Sequence, residues 1–216
     1  FVSGLWDLLS MSIEVGMPDV PYFAMCSGCK ANSLSWTMQR SGLVTATVSL
    51  VAQGEDVATS TAAGTLTALD LLRFGSFNGA IKRGGSQLGN VVSGEVTYSN
   101  NLDRIEVIRA DGKIDGADAS MAMLSGTIDV RFADQTLLSQ AIDGSPAELS
   151  FGYTIDADTS FELVAHAVYL PKPRLSLEGP GGVQARFEWQ AAFDSVTGRM
   201  ATATLVNDVA DYANPS

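Results

Sequence analysis

Residues 30–53 alternate polar and apolar side chains with a period of two, and that pattern commits the stretch to β structure. Leu34, Trp36 and Met38 interleave with Ser33, Ser35 and Thr37. Beyond Arg40-Ser41-Gly42, the residues Val44, Ala46, Val48 and Leu50 interleave with Thr45, Thr47 and Ser49. Successive side chains of a strand point to opposite faces, so each strand has one apolar and one hydroxyl-bearing face. Gly42 can supply the positive φ of a tight turn, which predicts a hairpin. The hydroxyl face carries charge only at its ends and is smooth, neutral and wet.

The same period recurs to the end of the chain. It predicts strands at 31–39, 43–53, 77–83, 90–99, 104–109, 121–133, 147–155 and 161–169, and a last hairpin of 183–193 with 199–206. In that hairpin Val183, Ala185, Phe187, Trp189 and Ala191 face one way, and Gln184, Arg186, Glu188 and Gln190 the other. One short helix is predicted over 134–142, capped by Asp134, with Leu137, Leu138 and Ala141 on one face and Gly144 ending it. Residues 54–76 lack strand periodicity and make an unusually long connection. It ends in the apolar cluster Leu69, Leu71, Leu72 and Phe74, which needs a partner in its own domain or in a neighbouring subunit. The predicted organisation is an N-terminal arm or short helix at 1–22, a single β-rich domain at 23–206 and a C-terminal arm at 207–216. An apolar content of 46% is ample for one core in 216 residues. No apolar run approaches the ~20 residues of a membrane span. The chain begins at Phe1 rather than Met, so further residues are expected before it.

Groups that resemble reactive sites fail on their spacing. Cys26-Ser27-Gly28-Cys29 lacks the four ligands of a structural zinc site and the helix start of a redox motif. It reads as two plain thiols. The segment from Asp111 to Ser120 invites a calcium reading. With Gly116 as the central glycine, Lys113 takes a ligand position and Ala122 stands where a bidentate Glu belongs, so an acidic loop is the expectation. His166, the single histidine, sits in a strand pattern with Val164 and Val168 and reads as structural. There is no nucleophile elbow, P-loop or dinucleotide fingerprint. The expectation is a protein that is not an enzyme and uses no cofactor or metal. A formal charge of −11, from 24 acidic and 13 basic residues, opposes tight DNA binding, which needs Lys and Arg against phosphates.

Several blocks, in order along the chain, resemble the tail tube protein of long-tailed (siphovirus-type) bacteriophages. They are Gly28-Cys29-Lys30-Ala31-Asn32-Ser33-Leu34-Ser35 with Gly42-Leu43-Val44-Thr45, then Gly94-Glu95-Val96-Thr97-Tyr98-Ser99-Asn100-Asn101-Leu102, then Ser125-Gly126-Thr127-Ile128-Asp129-Val130-Arg131-Phe132. Leu170-Pro171-Lys172-Pro173-Arg174, Gly179-Pro180-Gly181-Gly182-Val183, Phe187-Glu188-Trp189-Gln190-Ala191 and Leu205-Val206-Asn207-Asp208 complete the set. The resemblance implies a mainly β, sandwich- or barrel-like domain flanked by one short helix. It implies hexameric rings that stack into a tube whose inner barrel passes double-stranded DNA without binding it. It further implies a virion protein, made in the host cytoplasm, whose partners are itself, the tail tip, the terminator and the tape measure.

On that reading the lumen candidates are Ser33, Ser35, Thr37, Thr45, Thr47, Ser49, Gln184, Glu188 and Gln190, with Arg186 a local exception. Candidate contacts between subunits or rings are Glu55, Asp56, Leu69, Leu71, Leu72 and Phe74. The acidity then repels a passing polyanion, or it merely serves solubility. The rival reading is a monomeric acidic β-sandwich that binds a ligand or carbohydrate. A related secretion-tube subunit, which shares the ring without DNA passage, is a third.

Overall fold

The alternation at 31–38 belongs to a much longer strand. In the computed structural model, which describes residues 2–4, 7–65, 71–131, 136–173 and 184–208, β1 (Met11–Met17) turns back into the seventeen-residue β2 (Tyr22–Met38). β3 (Ala46–Val51) and β4 (Gly54–Ala58) then run one after the other along β2, β3 against its C-terminal half and β4 against its N-terminal half. Two bulges in β2, between Cys26 and Cys29 and between Ala31 and Ser33, shift its register against β1 and β3. At the first, Gly28 has φ +63°, and a Cβ there would meet the Gln53 side chain at 2.9 Å, so glycine is required.

The remaining elements are β5 (Gly79–Arg83), β6 (Ser86–Gln87), β7 (Val91–Ser99), β8 (Asp103–Ile105), β9 (Gly116–Asp118), β10 (Met123–Arg131), α1 (Thr136–Asp143), β11 (Ala147–Thr154), β12 (Ser160–Tyr169), β13 (Gln184–Ala192) and β14 (Ala201–Val206). All named pairs are antiparallel. One layer runs β3-β2-β7-β10-β13 and the other β14-β12-β11-β5-β6, joined where Ala167–Tyr169 pair with Gln190–Ala192. The core lies between the layers. Phe151 of β11 stacks on Trp189 of β13 at 5.1 Å, and Phe161 of β12 meets Trp36 of β2 edge-on at 5.8 Å. Val96, Leu124, Ile128, Leu149, Phe151, Ala165 and Val168 are fully buried between them. Helix α1 adds Leu137 and Ala141 to that core. It closes where the Gly144 N–H donates to the Gln140 carbonyl with Gly144 at φ +66°. Asp134, the expected cap, lies outside the described residues.

Among the described residues the chain is therefore mainly β with one short α-helix, and several boundaries differ from the sequence reading. Residues 11–17 form a strand, not an arm or helix, and Val2 and Ser3 are tied to Thr202 and Ala201 of β14. The connection expected at 54–76 begins as β4. The tight turn at 40–42 is instead the longer link 39–45, held to the end of the later connection by Val44 N–H to Phe74 O and Ser76 N–H to Gly42 O. The strand expected at 104–109 stops at Ile105, and the acidic loop supplies its partner β9. β1 and β4 are defined by their pairing with β2, and β8 by its pairing with β9.

Candidate assembly surfaces

The outer face of the β3-β2-β7-β10-β13 layer is mostly polar, with the exposed Met123 opposite Ser99 its apolar exception. Register places Thr47, Ser35, Thr97, Ser125 and Gln190 in one row across five strands. Thr37, Glu95, Thr127 and Glu188 form the next row, and Ser93, Asp129 and Arg186 a third. Ser33 and Ser49 pair with each other and continue to Ser99. Cross-strand partners share a face, so eight of the nine lumen candidates lie on this surface: Ser33, Ser35, Thr37, Thr47, Ser49, Gln184, Glu188 and Gln190. Thr45 precedes β3 and has no ladder partner. Arg186 is neutralised in place: its guanidinium stands 3.8 Å from Asp129 and donates to the Thr127 hydroxyl at 3.3 Å, while Ser93 donates to Asp129 at 2.8 Å.

The sequence reading placed β7 and β10 as strands at 90–99 and 121–133 but named none of their polar residues among the lumen candidates. The alternation Ser93, Glu95, Thr97, Ser99 and Ser125, Thr127, Asp129 is the signal that reveals them. Their other faces carry Val96, Leu124, Ile128 and Val130 into the core.

Opposite that face the apolar side of the layer overhangs its own core. β1, the N-terminal half of β2 and β4 form a three-stranded extension in which Met17 pairs with Tyr22, Val15 with Ala24 and Ala24 with Val57. Met11, Val15, Met17 and Val57 are about half exposed. β3 continues the same side: Ala46 pairs with core Trp36 and Val48 with Leu34, yet Val48 is 53% exposed. Below it an apolar groove of about 580 Å³ is lined by Leu34, Leu43, Ala46, Leu72, Phe74 and Phe161 among others.

The contact candidates separate within this region. Leu71 and Leu72 are nearly 70% exposed, whereas Phe74 packs its ring against Tyr153 at 5.8 Å. Leu69 lies outside the described residues. Asp56 is tied to Lys113 at 2.6 Å, and Glu55 faces Cys26 across the β4–β2 ladder.

The acidic loop is a clamp. Arg109 holds Asp111 at 2.9 Å and Asp115 at 2.7 Å, and the guanidinium keeps the Asp111 carboxyl at about 2, far below its ordinary value. The Lys30 ammonium donates to Ala117 O at 2.7 Å and docks the end of this loop on β2. His166 accepts or donates at 2.9 Å with the Thr202 hydroxyl between β12 and β14, with its other ring nitrogen 3.6 Å from Glu148. Glu14, on β1, accepts from the Thr61 hydroxyl at 2.5 Å and the Ala62 N–H at 2.7 Å. Those two bonds lower its carboxyl pKa. Among the described residues no three His, Cys, Asp or Glu side chains gather as metal ligands, and no helix is long and apolar enough to cross a membrane.

The sandwich thus presents one broad polar face, and it leaves an apolar extension and an edge strand uncovered, which are surfaces open to association. The sequence model of the family described as phage tail tube protein matches residues 8–191, and the chain belongs to that family. It is thus a structural component of a phage tail, one that assembles with itself and with other tail proteins. A search of curated proteins finds no match.

Proposed function

We propose that the chain forms hexameric rings that stack into the tail tube of a siphovirus-type virion. The hydroxyl-rich face lines a lumen through which double-stranded DNA passes into the host. The observation that carries this reading is the unbroken row Thr47–Ser35–Thr97–Ser125–Gln190, flanked by Glu95 and Glu188. Short neutral side chains offer a duplex neither apolar patches nor a line of cations, and carboxylates repel its phosphates. Ring closure covers the free edge of β3, which otherwise invites aggregation. Glu55, Asp56, Leu71 and Leu72 sit at contacts between subunits or rings, and Leu69 belongs with them by sequence. The tip, terminator and tape measure proteins meet the tube at its ends and in its lumen.

Negative-stain electron microscopy of concentrated protein, beside its light-scattering mass, tests the proposal. Stacked rings of uniform width and sixfold mass are expected. Leu72→Ser should remove them and keep the monomer folded, since Leu72 is mostly exposed. A wild-type chain that stays monomeric at every concentration, with tail-tip complexes added as nuclei, would overturn it and favour the ligand-binding module.

A further inference from the structure

Cys26 and Cys29 are an odd number of residues apart, so a regular strand would hold their side chains on opposite faces. The bulge in β2 cancels that separation. Cys26 pairs with Ile13 and Cys29 with Met11, and Ile13 and Met11 lie two residues apart on one face of β1. The two cysteines therefore share a face at successive positions. Gly28, held at φ +63° against Gln53, enforces the extra residue. The Cys29 thiol leans back to within 3.4 Å of the Cys26 carbonyl oxygen. Both cysteines are free: Cys29 is buried and Cys26 partly open, with its sulfur 4.0 Å from a Glu55 carboxylate oxygen. Burial pushes the Cys29 thiol up, and Cys26 beside it adds to the shift.

We propose that Cys26 and Cys29 form a dithiol that closes to an intrachain disulfide across the β2 bulge when the protein meets a low-molecular-weight disulfide. The more open Cys26 loses its proton and attacks one sulfur of the oxidant, forming a mixed disulfide and releasing one equivalent of small thiol. Cys29 then loses its proton and attacks the Cys26 sulfur, and the second equivalent leaves. Two protein thiols are oxidised by two electrons, the oxidant is reduced to two thiols, and the two protons end on the departing thiolates. A virion component works outside the cell, where such oxidants persist. The bond would cross-link the bulge from which the β1-β2-β4 extension springs, and it forms or fails to form whether or not the chain assembles into rings.

Incubating the folded protein with glutathione disulfide, followed by intact-mass and thiol analysis, tests this. Wild type should lose about 2 Da and both reactive thiols, with no stable adduct, and dithiothreitol should restore them. Cys29→Ser should instead keep one glutathione, a gain of about 305 Da, because nothing resolves the mixed disulfide at Cys26. A persistent adduct on wild type, a cross-linked dimer, or two unreacted thiols would each overturn the proposal.

Discussion

Gly126 sits at the centre of β10, between β7 and β13, where the chain has no room for a single further carbon. A Cβ there would fall on the Glu95 carbonyl oxygen and within 2.7 Å of the Trp189 ring. Gly126→Ala should destabilise the monomer by about 3 kcal/mol, read by urea denaturation of dilute protein, and Ser125→Ala beside it by less than about 0.5 kcal/mol. Glu14 gives a test in pH. Its folded-state pKa is depressed by the Ala62 N–H and the Thr61 hydroxyl, so the stabilisation is present above the ordinary carboxylate value. It is lost as pH falls through the lowered folded value. Acidification should release residues 61–63 from β1, seen as faster amide exchange there, and Glu14→Gln should weaken the same link at neutral pH. At this scale the core was legible: Trp36, Met38, Phe187 and Trp189 are buried as their alternation requires. Phe74 was not, because an apolar residue in a long connection carries no periodicity to say whether its own core or another subunit receives it.

Among the elements, β3 best separates folding from assembly. Its apolar face extends the buried side of β2 but passes beyond the opposing layer, and its outer edge has no ladder partner among the described strands. Val48→Lys should leave monomer stability within about 0.5 kcal/mol of wild type. It should also abolish higher-mass species in light scattering, because a charged side chain on an edge strand opposes strand addition. The sequence reading found β2, β7, β10, β12 and β13 where long alternation meets aromatic or branched residues. It passed over β1, although Met11, Ile13, Val15 and Met17 alternate cleanly with Ser12, Glu14 and Gly16. The neighbouring Leu8, Leu9 and Pro18 break the pattern. β4, β6, β8 and β9 are too short to carry a period, and only their partners define them.

For the whole molecule, the β1-β2-β4 extension and the β3 overhang leave apolar surface that one copy does not cover. Association should therefore raise thermal stability with protein concentration, because a partner that binds the folded chain shifts the unfolding equilibrium. Amides at 11–17 and 54–58 should exchange fast in dilute monomer and slowly in the assembled state, and a concentration-independent melting temperature would contradict this. The sequence by itself determined the β class, the short helix after β10, which residues of each long strand are apolar, and the acidity that opposes DNA binding. Those properties are local: a period of two assigns every side chain to a face, and charge is a sum over residues. Only the tertiary structure decided which faces join. Setting Ser35 beside Thr97, Ser125 and Gln190, or Cys26 on the same side as Cys29, depends on register and bulges between segments tens of residues apart. A strand's own pattern states which way its side chains point, and the choice of neighbour is made by the shared core.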